Sequence, residues 1–148
     1  MPPIAAVEAA LMGETLMPAQ ASVELTLLVW SVALCVLQML ISVITAQGQV
    51  GLPPLVGNRE GFPELKGVAG RAGRAHQNMV TNMVLFAILV LVAAVSGKSN
   101  ATTVLGAQLF FWARLTYAVI YLIGIPWART IAWAISIVGL VLIFTQVI

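Results

Sequence analysis

The stretch GRAGRAHQNMVTNMVLF, residues 70–86, puts two arginines, a histidine and two asparagines at the entrance of an otherwise apolar segment. At about 100° per helical residue, Arg71, Arg74, Asn78 and Asn82 fall within about 80° of one another, one polar face over three turns. His76 points away from that face, which gives it an interfacial or helix-contact role. Further on, ARLTYAVIYLIG sets Arg114, Tyr117 and Tyr121 at i, i+3 and i+7, again on one face, and Arg129 follows eight residues after Tyr121. Guanidinium forks bind carboxylates, while amides and phenols orient what the forks hold. The competing reading makes the arginines cytoplasmic anchors with stems snorkelling to the headgroups; it suits Arg71 and leaves the two asparagines unexplained. The tyrosines serve equally as interfacial belt residues. An arginine inside a span costs at least ~2.5 kcal/mol unless paired or wetted, so Arg114 is expected to have a partner, with Glu24, Glu60 and Glu64 as the acids available. One histidine, one cysteine and no clustered acids exclude a metal site. Cys35, alone in mid-span, reads as a buried inert thiol.

The elements that must position these groups are membrane helices. The chain has 148 residues, 61% hydrophobic and 8% charged, with a mean hydropathy of +1.03, too few polar residues to cover a water-soluble surface. Its net charge of +2 rests on seven Lys and Arg against five acids, too few for nucleic acid. Crossing a bilayer core takes about 20 helical residues. Four apolar runs suffice, at approximately 23–46, 79–96, 102–123 and 127–148. The first has no basic residue before it and is too long for a signal peptide's core, so it is expected to remain in the mature chain. Residues 1–22 read as a tail or short surface helix ahead of a membrane domain over 23–148. Arg59, Lys66, Arg71 and Arg74 gather in and just after the first loop and Arg129 at the third, against Lys98 alone in the second. The positive-inside rule then puts the first and third loops in the cytoplasm and both termini outside. In the first span Glu24, Ser31, Gln38 and Thr45 recur at heptad spacing, with Ser42 and Gln49 on the same stripe. A polar seam in hydrocarbon must face other helices as glue, or line a cavity.

RAHQN opening the second of four spans, RLTYAVIY in the third and an arginine eight residues after the second tyrosine together resemble the MAPEG family, membrane-associated proteins in eicosanoid and glutathione metabolism. The resemblance runs from about residue 22 onward. The GNRE loop and YLIGIPWARTIAW are most similar to the family's bacterial members, which implies a bacterial inner membrane. It implies an all-α, integral membrane, left-handed four-helix bundle assembled as a homotrimer, with glutathione as co-substrate between subunits near the cytoplasmic side. The family's second-helix pattern of Arg, Asn four residues on and Glu three further maps onto Arg74, Asn78 and Thr81, so the acid is missing. Tyr117 and Tyr121 match tyrosines that contact the tripeptide, and Arg129 falls where family enzymes keep the arginine that stabilises the glutathione thiolate. Where many members place a base at the end of the first helix, this chain offers Gln47 and Gln49.

The chemistry fits the matched residue types. Glutathione brings two carboxylates, an ammonium and a thiol, calling for arginine forks, orienting amides and phenols, and an acid that Thr81 does not supply. The expectation is a glutathione-dependent transferase or peroxidase acting on lipophilic electrophiles drawn from the membrane lipids. In it Arg129 is catalytic, and Arg71, Arg74, Asn78, Asn82, Tyr117, Tyr121, Arg114 and Gln49 bind the tripeptide. Two alternatives stand beside it: a non-catalytic member binding an anionic or lipid ligand, and a small four-span exporter, which Glu24 at the edge of its span argues against.

Overall fold

Ser22 begins the first helix by accepting a hydrogen bond from the Leu25 amide at 3.3 Å, and helix α1 then runs over Val23–Val50. The computed structural model describes residues 22–58 and 61–148; the tail expected over residues 1–18, and Arg59 and Glu60, lie outside the described residues. After a one-turn helix at Pro53–Val56 come α2, Gly67–Val95, α3, Ala101–Ile123, and α4, Pro126–Val147. All four are long and apolar enough to cross a membrane, and the chain is an all-helical integral membrane bundle.

Local chemistry fixes the boundaries. Asn100 caps α3, its side chain accepting from the Thr102 and Thr103 amides at 2.8 and 3.1 Å while Thr103 Oγ1 accepts from the Asn100 amide at 2.8 Å. At the other end Gly124 takes a left-handed turn at φ 94° and Pro126 opens α4, which makes the third connection a tight hairpin. The second helix starts at Gly67, well before the apolar run at Met79. Hydropathy misses its first three turns because small residues carry their packing: Ala69, Gly70, Ala72 and Ala75 are all buried.

The closest helix approach joins α3 to α4. A Cβ on Gly106 would lie 2.7 Å from the Gly139 carbonyl oxygen, and one on Gly139 would lie 2.5 Å from that of Gly106, so each backbone occupies the space a side chain would need. Beside this crossing Phe86, Val90, Ala107, Phe110, Leu140 and Ile143 form the main apolar cluster, with the rings of Phe86 and Phe110 stacked at 4.1 Å. The heptad seam of α1 does face inward: Glu24, Ser31 and Gln38 are buried and Thr45 half-buried. Among the described residues only Glu24 uses it to bond another helix, accepting from Thr103 Oγ1 at 2.6 Å. Ser31 and Thr45 donate to carbonyls of their own helix, those of Leu27 and Ile41. Val29, Leu37, Ile88 and Trp127 stand exposed around the bundle, as lipid-facing side chains do.

Candidate functional site

The first and third connections meet at one end of the bundle, and the basic residues meet with them. Arg71, in the first turns of α2, donates from Nε to the carbonyl of Leu122 at 3.0 Å. That carbonyl belongs to the last turn of α3, which has no helical partner for it, so Arg71 ties α2 to the end of α3. Gln49 is committed nearby, accepting from the Lys66 amide at 3.1 Å and closing the first loop on itself. Arg74, one turn after Arg71, is exposed and lines an open groove with Phe62, Glu64 and Gly70.

Deeper in the bundle the polar groups become buried. Asn82 is buried and donates from Nδ2 to the Asn78 carbonyl at 2.8 Å within its own helix. The side chain of Asn78 accepts from Arg114 Nη1 at 2.6 Å. Arg114 is 0% exposed, and its Nε and Nη2 have no hydrogen-bond partner among the described residues. Its guanidinium carbon lies 5.5 Å from the ring centre of Phe110 and 5.4 Å from that of Tyr117. The ring centres of Tyr117 and Tyr121 are 5.3 Å apart, both packed with Ala75 and Ala132. Over Tyr121, at 4.8 Å, sits the guanidinium carbon of Arg129, in the first turns of α4.

Among the described residues no acid lies beside Arg114. Glu24 is taken by Thr103 at the opposite end, Glu64 lies at the groove beside Arg74, and Glu60 is outside the described residues. At 1.5 Å per residue Arg114 lies about 13 Å from the end of α3 and about 16 Å from Thr103, beyond the reach of either described acid. A neutral amide and two ring faces replace the carboxylate, and cation–π contact offsets part of the burial cost. His76 has the helix-contact role expected of it, with Nδ1 at 4.0 Å from Sγ of buried Cys35 on α1. No group of three metal-binding side chains occurs among the described residues.

The candidate residues therefore sort into two sets. Asn78, Arg114, Tyr117, Tyr121 and Arg129 form one continuous string across α2, α3 and α4. Arg71, Gln49 and Asn82 are held by backbone groups, and Arg74 faces outward. Two residues escaped the sequence reading. Gln77 is exposed on α2 between Arg74 and Thr81, and its 3- and 4-residue spacing from them was the available signal. Gln38, assigned to the seam, is buried with both side-chain polar atoms unpaired among the described residues, a state that spacing does not reveal.

A four-span helical membrane protein with a polar string built into one end of its bundle is the class that fold and site define. The MAPEG family model matches residues 27–148, most of the chain, and the chain belongs to that family. No curated protein and no solved structure matches it.

Proposed function

We propose that the protein is a glutathione-dependent transferase or peroxidase acting on lipophilic electrophiles that enter from the bilayer. Membership of the MAPEG family supports this, and one observation carries it: the fully buried Arg114, bonded once to Asn78, has two guanidinium nitrogens without a partner among the described residues. A buried donor without an acceptor costs about 1–3 kcal/mol, more when charged. A ligand carboxylate lying against Nε and Nη2 removes that cost and makes charge-assisted bonds in its place. Asn78, Tyr117 and Tyr121 then orient the tripeptide, with Arg74 for its second carboxylate.

Arg129 is the residue for the thiol. A free thiol with pKa near 8.5 is only a few per cent ionised at neutral pH, and lowering that by two units takes about 2.7 kcal/mol. A guanidinium at the start of α4, where the helix dipole is positive, supplies that scale of stabilisation. The thiol proton leaves to solvent, the thiolate sulfur attacks the electrophilic carbon, and the leaving group departs with the bonding pair.

The assembly belongs to the same proposal. Arg74, Gln77 and Thr81 form an exposed polar stripe on α2, and polar groups on a membrane helix need cover. A homotrimer with α1 and α2 at the subunit contacts provides it, with the site open to the cytoplasm and both termini outside an inner membrane. Only monomer by mass in native membranes, or cytoplasmic activity of a reporter fused at residue 148, would remove these parts.

A non-catalytic member binding an anionic or lipid ligand is favoured by one feature. Thr81 stands where the resemblance calls for an acid, and its hydroxyl donates to the Gln77 carbonyl at 3.0 Å instead of offering a charge to an ammonium. Conjugation of glutathione to a reactive aryl halide by purified protein tests the enzyme reading, and Thr81→Glu should tighten glutathione binding. Wild-type protein that neither binds glutathione nor gains binding from Thr81→Glu defeats it.

A further inference from the structure

A crevice runs between α1 and α3 of the single protomer. Near the end that holds Ser22 and the C-terminus it is flanked by the exposed indoles of Trp30 and Trp112. Past Leu115, which lines both parts, it narrows to a cavity of about 100 Å³. The floor is made of small residues, Ala72, Ala75 and Ala118, and the walls are aliphatic. The one polar side chain lining this inner part is Gln38. It is 6% exposed, and neither its Nε2 nor its Oε1 has a hydrogen-bond partner among the described residues. Residue 38 lies near the middle of α1, at a depth where water is not available to satisfy an amide.

An unpaired amide costs free energy on both its donor and its acceptor side, and side chains of that kind inside a membrane are ordinarily paired or face a function. We infer that this crevice is a binding site for a slim lipophile whose single polar group both donates and accepts, a neutral carboxyl or a primary amide, paired in two hydrogen bonds with Gln38 while its apolar tail lies along α1 and α3. The pairing fits in both directions, because Nε2 needs an acceptor and Oε1 a donor at the same place. Size favours a small molecule over a second copy of the chain. A helix is about 10 Å across with its side chains, so another copy can cover the opening but cannot enter a space of 100 Å³.

The crevice adjoins the polar string without sharing its polar groups. Ala75 lines the crevice and also packs with Tyr117 and Tyr121, so one alanine is common to the two. Where the glutathione reading holds, the crevice is placed to receive the lipophilic co-substrate. Binding at Gln38 does not depend on that reading.

The test uses full-length protein in lipid vesicles without glutathione and three photoreactive probes of equal length, each with a diazirine in the tail: a primary amide, its methyl ester and the plain hydrocarbon. The amide should label Leu37, Ile41, Leu115 or Val119 about tenfold more than the hydrocarbon, the scale of two modest hydrogen bonds in a membrane, with the ester between them. Gln38→Leu, which adds no polar group and keeps the bulk, should erase that preference while the protein remains folded. Equal labelling by amide and hydrocarbon, an unchanged preference in Gln38→Leu, or labelling confined to other surfaces would overturn the inference. So would Leu37→Cys and Val119→Cys cross-linking between copies with the crevice closed to all three probes. Loss of glutathione binding with intact labelling would count against the enzyme alone.

Discussion

The two ends of this bundle treat buried polarity in opposite ways. At the end holding Ser22 and the C-terminus, the polar side chains find each other: Thr103 bonds Glu24, Asn100 Nδ2 donates to Gln146 Oε1 at 3.0 Å, and Lys98 Nζ donates to the carbonyls of Val147 and Ile148. These contacts fasten the starts of α1 and α3 and the last turn of α4. Toward the other end, Arg114 is as fully buried as Thr103 and, among the described residues, uses one of its three nitrogens. A folding requirement accounts for a satisfied network; it does not account for donors left open in hydrocarbon, where closing them would add stability. The first end holds the helices together, and the proposed function reads the second as shaped for a ligand.

The largest effect should come from Arg129. Arg129→Leu should lower conjugation with a reactive aryl halide by at least about 100-fold, the scale of removing one electrostatic stabiliser of developing charge, while glutathione binding stays within several-fold because only the ionised sulfur loses its partner. Initial rates set beside calorimetric binding separate the two, and equal losses would place Arg129 in ground-state binding instead.

Arg74→Ala comes next and should weaken glutathione binding by about 2 kcal/mol, the usual scale for one side of a charge-assisted pair. Arg74 is exposed, so unfolding in detergent should not shift. A lower melting temperature with intact affinity would make it an anchor.

The smallest change tests the fastening end. Thr103→Val strands the Glu24 carboxylate in a buried position and should cost about 1–2 kcal/mol of stability. Binding and conjugation should be untouched, and altered affinity would blur the division between the ends.

The division was partly legible in the sequence. The four spans, the inward seam of α1 and the shared face of Arg114, Tyr117 and Tyr121 follow from hydropathy and helical period, and each appears in the structure. Pairings were harder to read. Counting charges pointed Arg114 to an acid, but among the described residues its fully buried guanidinium meets the amide of Asn78 and two ring faces, none of which carries a charge to count. The polar face of α2 also split, because adjacent turns at its edge diverge: Asn82 turns into the core while Arg74 faces out. Arg71 was placed correctly in the helix, but its bond to the carbonyl of Leu122 was not legible, since that carbonyl comes from a different element.

The central claim is that Arg114 is kept open for a ligand, and calorimetric titration of glutathione into wild-type and Arg114→Leu protein, with thermal unfolding of both, tests it most directly. Leucine removes the buried charge and its two unpaired donors, so the melting temperature should hold or rise even with Asn78 losing its partner, while affinity should fall by about 2 kcal/mol, roughly 30-fold. Unfolding of Arg114→Leu at a markedly lower temperature with unchanged glutathione affinity would contradict the account and make Arg114 a structural residue.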